Sequence, residues 1–232
     1  MKRAIVDVAT GRYLPYQARL FKRLAELGTD ATPCFYSLMP HGCPPHHEKP
    51  YAFKAYALMA AVSLCNPDLI LWVDSVIYPV KELDLLWEKI EHEGYWIALN
   101  GWTNYQWTCD AAYADLFKGW KIEEAREVNR KIPHVVATAF GLNLRTHVGK
   151  EFLSEYFRLA QTNAFCGPWK NENGSCGPED VLGHRHDQTA ASLIAWRLGM
   201  KLTECPNFFS YPPAAPNTIL VADGGNVYGR SD

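Results

Sequence analysis

The chain has 232 residues, of which 48% are hydrophobic and 21% charged, a composition that excludes wholesale disorder. Its formal net charge of −2 provides no overall basic surface, so the composition does not indicate a nucleic-acid-binding protein. The length suffices for one domain with its own core, and we see no repeat or second domain. We therefore predict a single domain over residues 1–232.

Two features of the sequence concern the compartment. The chain begins with Met1-Lys2-Arg3 and enters an apolar strand without a signal peptide, and no apolar run approaches the roughly 20 residues that span a bilayer. The seven cysteines are odd in number and lack paired spacing, which favours a reduced environment over a disulfide framework. We expect a cytoplasmic protein without a membrane span.

Strands and helices are predicted to alternate along most of the chain. The predicted elements are a strand at 4–8, a helix at 16–27, a strand at 31–38, a loop at 39–50, a helix from 51, a strand at 69–73, a helix at 81–93, a strand at 95–99, mostly helix at 110–131, a strand at 134–144, a helix near 152–160, a helix near 187–198 and a strand at 201–205. This order is typical of an α/β protein.

The apolar run at residues 69–73 ends abruptly in an acid, Asp74. Such a run, preceded by Pro67-Asp68, predicts a buried and parallel strand. Ligands of parallel sheets bind at the carboxyl ends of the strands, which is where Asp74 lies. Its carboxylate must be solvated, paired or used, because burial of a lone charge is costly. For Asp74 considered alone, a loop acid that caps the next turn is the alternative.

Two other segments favour an anionic ligand. The loop at residues 10–13 follows the first strand, and its glycine permits a tight turn while Thr10 and Tyr13 offer a hydroxyl and a ring. Lys49 and Lys54 lie near the start of the helix from residue 51, where a positive charge opposes the helix dipole unless an anion is nearby. A pair of solvated surface lysines is the alternative.

The loop at residues 100–107 combines aromatic rings with amides. Rings and amides together suit a sugar or a base, because such ligands present flat apolar faces and polar edges. We predict sugar or acceptor contacts at Asn100, Trp102, Asn104 and Trp107. A buried helix cap with satisfied amides is the alternative for this loop.

Two irregular features occur in the second half of the chain. Gly141 interrupts the predicted strand at 134–144, and a glycine within a strand often marks a bulge or the close approach of a ligand. Residues 162–183 carry four glycines and two prolines without periodicity, and so long a loop within a compact domain is usually functional or disordered. We expect acceptor or sugar contacts from this loop.

A cluster of polar side chains, His184-Arg185-His186-Asp187-Gln188, precedes the apolar face of the last predicted helix. Asp187 is suitably placed to cap this helix. Two histidines, an arginine, an acid and an amide within five residues nevertheless exceed what a helix cap requires.

These motifs, in their order along the chain, resemble those of GT-A-fold glycosyltransferases. The segment Val8-Ala9-Thr10-Gly11-Arg12-Tyr13 resembles the nucleotide loop, and Lys49-Pro50-Tyr51-Ala52-Phe53-Lys54 resembles the helix that presents basic residues to the donor diphosphate. Leu71-Trp72-Val73-Asp74-Ser75-Val76 resembles the strand that ends in the Asp-x-Asp motif, and His186-Asp187-Gln188 resembles the late acidic motif that faces the acceptor. The resemblance covers about residues 3–205. It predicts an α/β fold: a single GT-A-like (Rossmann-like) domain with a mostly parallel central sheet flanked by helices, a loop insertion at about 162–183 and a Pro-rich C-terminal tail at 206–232.

The resemblance implies transfer of a sugar from a nucleotide-diphosphate donor, with a UDP-sugar expected, to a hydroxyl of a glycan, a small molecule or a modified DNA base. Asp187 would be the general base of an inverting reaction. The implied donor contacts are Thr10, Tyr13, Lys49, Lys54, Asp74, Ser75 and Gly141, and the implied sugar or acceptor contacts are Asn100, Trp102, Asn104, Trp107, His186 and Gln188.

The sequence departs from the family motif at one position, because Val76 replaces the second acid of Asp-x-Asp and cannot bind a metal. One expectation is a manganese or magnesium site formed by Asp74 and His184, with His186 as a further candidate. The other is a reaction without metal, in which a basic side chain assists the leaving group, the candidates being Lys49, Lys54 and Arg185.

Two other functions remain as alternatives. A non-catalytic α/β module that binds nucleotides or glycans would use the same sheet and aromatic rings, but would not require His186-Asp187-Gln188. A nucleotidyltransferase would require a second metal-binding carboxylate close to Asp74, and none follows closely in the sequence.

Overall fold

The structure is a computed structural model that describes residues 1–223, along which strands and helices alternate. The strands are β1 (Arg3–Val8), β2 (Thr32–Tyr36), β3 (Leu69–Val73), β4 (Ile77–Pro79), β5 (Tyr95–Thr103), β6 (Pro133–Asn143), β7 (Phe208–Ser210) and β8 (Thr218–Ala222). The α-helices are α1 (Leu14–Glu26), α2 (Ala52–Cys65), α3 (Asp84–Glu93), α4 (Tyr113–Leu116), α5 (Ile122–Asn129), α6 (His147–Ala160) and α7 (His186–Arg197).

Five strands form the central sheet in the order β2-β1-β3-β6-β5. Strand β1 is parallel to β2 and β3, whereas β6 is antiparallel to β3 and β5. All strands of this sheet except β6 therefore point in the same direction, and their carboxyl ends share one edge. The predicted α/β class and mostly parallel central sheet are confirmed.

Strand β3 lies in the middle of the sheet and is buried on both faces. Ile70 and Trp72 belong to the apolar layer that includes residues of α2, α6 and α7, while Leu69, Leu71 and Val73 belong to the layer that includes residues of α1 and α3. Because successive side chains point to opposite faces, a strand covered on both sides must be apolar throughout. Asp74 is the first residue beyond this buried strand.

Gly141 allows close packing between the sheet and α3. Strand β6 continues through this position without interruption, and a Cβ atom built on Gly141 would lie 2.2 Å from Cδ1 of Ile90. Gly141 does not line the cavity described below, and helix α3 fills the space on the side of the strand where a Cβ atom would lie.

The C-terminal part of the chain differs from its prediction in two ways. Residues 201–205 form only an isolated bridge, Thr203 with Ala98, instead of a strand. The Pro-rich tail from residue 206, in which we predicted no strand, contains β7 and β8, and these form a three-stranded sheet with β4 in the order β4-β8-β7. The sequence also predicts that the tail ends in a loop at Asp223-Gly224-Gly225-Asn226, and of these four residues all but Asp223 lie outside the described residues.

The predicted loop insertion at 162–183 contains only two short 3₁₀ helices, Asn163–Phe165 and Glu172–Gly174. The amide of Asn171 organises it, because Nδ2 donates hydrogen bonds of 2.9 and 2.8 Å to the carbonyls of Pro178 and Val181. Within residues 1–223, no helix is both long enough and apolar enough to cross a membrane.

Candidate active site

A cavity of about 1190 Å³ opens at the carboxyl edge of the central sheet, the edge at which α/β proteins bind ligands. Its walls come from the loop after β1, the start of α2, the end of β3, the loop after β5, the start of α7 and the loop at 168–172. The predicted site residues that line it are Tyr13, Lys54, Asp74, Asn100, Trp102, Trp107, Asp187 and Gln188. Segments distant in sequence therefore meet at one place.

Lys54 is the centre of the charged floor of this cavity. Its Nζ lies 2.9 Å from Oδ1 of Asp74, 2.9 Å from Oδ2 of Asp187 and 3.0 Å from the carbonyl oxygen of Ala137. An ammonium group has three N–H donors, so these three acceptors use all of them. We call Lys54, Asp74 and Asp187 the Lys54 triad. The triad connects α2, the end of β3 and α7, and the hydrogen bond from Lys54 to Ala137 links it to β6.

Aromatic rings position the ammonium group of Lys54 beneath the cavity. Its Nζ lies 5.1 Å from the ring centroid of Tyr51 and 5.6 Å from that of Trp72, within the range of cation–π attraction. The indole Nε1 of Trp72 also donates a 2.8 Å hydrogen bond to Oδ1 of Asp74. Oδ1 of Asp74 thus accepts from both Lys54 and Trp72, and the alternative that Asp74 merely caps a turn is wrong.

The charges of the Lys54 triad do not balance. One ammonium faces two carboxylates, and the side chain of Lys54 is only 2% exposed. Burial alone would lower the pKa of Lys54, but the carboxylates of Asp187 and Asp74 outweigh it and raise the pKa. Burial raises the pKa of Asp74 and of Asp187, and the ammonium only partly offsets this effect. With both acids ionised, the triad carries a net charge of −1.

Asp187 does not cap helix α7. The N-cap residue is Arg185, whose side chain accepts no capping hydrogen bond. The carboxylate of Asp187 instead receives Lys54 Nζ and, at 3.4 Å, the hydroxyl of Tyr156. The capping alternative is therefore wrong, and Asp187 is a buried acid that contributes to the cavity wall.

Aromatic residues form another part of the cavity wall. The indole rings of Trp102 and Trp107 meet edge to face with 5.8 Å between their centroids. The guanidinium carbon of Arg185 lies 4.0 Å from the centroid of Trp107 and 4.6 Å from that of Trp169. This wall offers flat apolar surfaces and a positive charge, with the amides of Asn100 and Gln188 beside them.

Solved structures share this architecture over nearly the whole chain. A glycosyltransferase involved in the glycosylation of the major capsid of PBCV-1 superposes with a TM-score of 0.56 and 11% identity, covering 97% of this chain and 94% of that one. The bifunctional glycosyltransferase WbbM superposes with a TM-score of 0.54 and 8% identity, covering 97% of this chain but 46% of that one. The chain has the GT-A fold of glycosyltransferases. No family model matches the sequence, and the comparison with curated proteins finds no relative.

Several residues that the GT-A resemblance implicated do not line the cavity. Nζ of Lys49 donates hydrogen bonds to the carbonyls of Gln161 and Thr162, at 3.1 and 2.6 Å, beyond the end of α6. Oγ of Ser75 donates a 2.8 Å hydrogen bond to the buried carboxylate of Asp7. Thr10 precedes the 3₁₀ turn Gly11–Tyr13 without capping it. The structure therefore does not bring these three predicted donor contacts into the cavity wall.

Asn104 belongs to the core instead of the cavity. Its Nδ2 donates to Oδ1 of Asn129 at 2.9 Å and to the carbonyl of Thr189 at 3.2 Å, and its Oδ1 lies 2.9 Å from Nδ1 of His134. The alternative of a buried position with satisfied amides is correct for Asn104, although Asn100, Trp102 and Trp107 do line the cavity.

The two histidines before Asp187 are structural. Nδ1 of His184 accepts from the amide of Cys109 and Nε2 donates to the carbonyl of Ala164, while burial lowers the pKa of His184 to about 3. The predicted metal contact at His184 is wrong, because both ring nitrogens are already used. His186 donates through Nδ1 to the carbonyl of Phe165, and burial lowers the pKa of His186 to about 4. Its ring supports Tyr51 and Trp169, which line the cavity.

The resemblance also implies a divalent cation, and the residues after β3 do not fit one. Asp74 is already paired with an ammonium, and the next position of the motif is Val76, which is 3% exposed and packs in the apolar layer beneath the sheet. Over the described part of the chain, no three His, Cys, Asp or Glu side chains form a cluster suited to a metal ion.

Sequence reasoning missed His46, Tyr51 and Tyr211 of the cavity wall, whereas Trp169 and Lys170 belong to the loop at 162–183 that we expected to contribute contacts. Tyr51 had a usable signal, because it starts the helix that carries Lys54. Tyr211 had none, because it follows β7 in the tail, and the sequence pattern did not reveal the sheet that returns the tail to the cavity.

Proposed function

We propose that the protein is an enzyme that transfers a sugar from a nucleoside-diphosphate donor to an acceptor hydroxyl. The observation that carries this proposal is the meeting of Asp74 and Asp187 on Lys54 in the floor of one large cavity. Binding alone does not require a buried acid in a cavity lined by aromatic rings. Transfer of a group to a hydroxyl requires a proton acceptor beside the reacting atoms.

Two sets of lining residues suit the two substrates. Arg12 and Tyr13, in the turn after β1, provide a cation and a ring for the nucleotide. Trp102, Trp107 and Gln188 provide stacking surfaces and an amide for the sugar and the acceptor. We expect uridine as the base of the donor, as the resemblance implies.

For an inverting reaction, Asp187 is the candidate general base. Its carboxylate lines the cavity, and burial raises the pKa of Asp187, which makes it a better proton acceptor at neutral pH. The acceptor oxygen would attack the anomeric carbon, and its proton would pass to Asp187. The bond from the anomeric carbon to the phosphate oxygen would break, and the nucleoside diphosphate would leave with the electron pair.

Calorimetry and product analysis test the proposal. Titration with UDP, other nucleoside diphosphates and several nucleotide sugars should reveal binding of one of them, and incubation with the bound donor should release free sugar or a glycosylated product. Oligosaccharides, small hydroxylated molecules and DNA with hydroxylated bases are the acceptor arms. A folded protein that binds no nucleotide under any condition would refute the proposal. Tight binding of a nucleotide sugar without turnover on any acceptor would instead favour the non-catalytic alternative.

A further inference from the structure

We propose that the ammonium group of Lys54 takes the place of the divalent cation at the end of β3, so that the donor binds and reacts without a metal. This inference rests on the proposed glycosyl transfer and specifies its electrostatics. Lys54 acts here as a positioning residue, because it orients Asp74 and Asp187 and neutralises part of their charge.

The geometry around Asp74 disfavours a second cation. A divalent cation binds carboxylate oxygens at about 2.0–2.6 Å, so an ion on Oδ1 of Asp74 would lie within roughly 5 Å of an ammonium that is itself 2.9 Å from that oxygen. The ammonium cannot turn away, because Asp187 and the carbonyl of Ala137 hold its other N–H groups. Two cations would therefore compete for one carboxylate in a buried place, and the covalently attached one is always present.

The two residues that follow Asp74 supply no further metal ligand. Val76 occupies the position of the second acid and packs in the apolar layer with Ile77. A valine side chain has no oxygen, so this position offers no metal ligand. The hydroxyl of Ser75 points to Asp7, with an Oγ–Oδ1 distance of 2.8 Å. Asp74 would be left as a single carboxylate ligand, whereas stable Mg²⁺ or Mn²⁺ sites in proteins use further oxygen or nitrogen ligands.

The charged side chains of the cavity already suit an anionic donor. Four basic side chains line it, namely Arg12, Lys54, Lys170 and Arg185, against three acidic ones, Asp74, Glu172 and Asp187. The carboxylates that would repel a diphosphate are thus compensated by the chain itself. Arg12 and Lys170 line the cavity from two segments distant in sequence, and both side chains can donate charge-assisted hydrogen bonds to a phosphate.

The experiment measures how Mn²⁺ and EDTA change UDP affinity, transfer rate and melting temperature in the wild type, and how Mn²⁺ changes the melting temperature of Lys54→Ala. Wild-type protein should bind UDP with the same affinity and transfer sugar at the same rate in excess EDTA and in excess Mn²⁺, and Mn²⁺ alone should not raise its melting temperature. Lys54→Ala leaves Asp74 and Asp187 facing each other without a cation. Mn²⁺ should therefore raise the melting temperature of this variant, and a further Asp74→Asn change should abolish that rise.

Wild-type protein that loses UDP binding or turnover in EDTA and recovers both with Mn²⁺ would overturn the inference, while leaving glycosyl transfer intact. A Mn²⁺-induced rise in the wild-type melting temperature that Asp74→Asn removes would also overturn it. These wild-type measurements decide the question even where Lys54→Ala fails to fold. Absence of UDP binding with or without Mn²⁺ would count against the proposed function itself.

Discussion

Lys54 in the first turn of α2 and Asp187 in the first turn of α7 form a buried ion pair, with 2.9 Å between Nζ and Oδ2. The pair fixes the ends of two helices over the carboxyl edge of the sheet, beside Asp74 at the end of β3. Replacement of one partner therefore affects the stability of the fold and the charge of the cavity together.

Lys54→Met is expected to destabilise the protein strongly. It leaves two buried carboxylates without a counter-ion, and removal of one partner from a buried ion pair typically costs about 3–5 kcal/mol. Without the ammonium, the pKa of Asp74 and of Asp187 would rise further, and an acid whose pKa is raised on folding destabilises the folded state when it ionises. The variant should thus be more stable at pH 5 than at pH 8. Thermal melts across this range measure the effect.

Lys49→Met is the matched control for that substitution. Lys49 lies near the same helix, but its Nζ donates to two backbone carbonyls instead of carboxylates. Its loss should cost about 1 kcal/mol. Equal destabilisation of the two variants, or a Lys54→Met protein whose stability does not fall between pH 5 and pH 8, would contradict the assigned role of the ion pair.

The sequence allowed prediction of the sheet and of both acids, because their signals are local. A continuous apolar run predicts a strand buried on both faces, and an acid directly after it must lie at the edge of the core. Lys54 also has a local signal, because a lysine near the start of a helix predicts a nearby anion. The anions that the structure places beside it are the carboxylates of Asp74 and Asp187, and its contact with a donor phosphate stays a prediction. Pairing across distant segments depends on how the chain folds and is not encoded in a local pattern.

Gly141 and the C-terminal tail illustrate the other limit of local patterns. A glycine within a strand has the same appearance whether a ligand or a helix approaches it, and here Ile90 of α3 does. In the tail, β8 forms because it pairs with β4 and β7, and the prolines around it concealed that strand. The loop at 100–107 was predicted as one unit, yet Asn104 is buried while Trp102 is 45% exposed.

Trp102→Ala is expected to weaken use of the acceptor or sugar without unfolding the protein. Trp102 is 45% exposed and lines the cavity, and loss of a stacking ring typically costs about 0.5–1.5 kcal/mol, up to roughly tenfold in KM. Trp120→Ala is the control, because Trp120 is 50% exposed, packs against Phe117 and does not line the cavity. Steady-state kinetics with both variants measure the difference. Identical KM values for the two variants would remove Trp102 from the proposed substrate contacts.

Asp7 is expected to make the stability of the protein depend on pH. Burial raises the pKa of Asp7 to about 7, although hydrogen bonds from Gln17 and Ser75 partly oppose the rise. Because the folded-state pKa exceeds the unfolded value, the contribution to stability is fully present below about pH 4 and is lost as the pH rises through about 7.

Asp7→Asn should therefore gain stability relative to the wild type between pH 5 and pH 8, by at most about 4 kcal/mol. Ser75→Ala provides a second check, because it removes a hydrogen bond that favours the ionised form and should move the loss of stability to higher pH. Melting temperatures of the three proteins across this range measure both effects. A constant difference between Asp7→Asn and the wild type at every pH would contradict the prediction.

Asp187→Asn separates the chemical role of this residue from its structural role. The substitution leaves Lys54 with Asp74, which is a neutral ion pair in place of a triad with a net charge of −1, and asparagine retains an oxygen that can accept from Lys54. We therefore expect a folded protein that binds the donor nearly as well as the wild type. Its transfer rate should fall by about a hundred- to ten-thousand-fold, because asparagine cannot accept the acceptor proton.

Asp180→Asn is the control for this substitution, since Asp180 pairs with Arg130 and Tyr105 and does not line the cavity. Its transfer rate should remain close to that of the wild type. Melting temperature, donor affinity by calorimetry and single-turnover transfer should be measured on both variants. A folded Asp187→Asn protein with wild-type turnover would show that Asp187 only holds Lys54 in place, and the proton acceptor would then have to be sought elsewhere in the cavity. Loss of donor affinity together with turnover would instead indicate that the charge of the triad, and not proton transfer, is what the substitution removes.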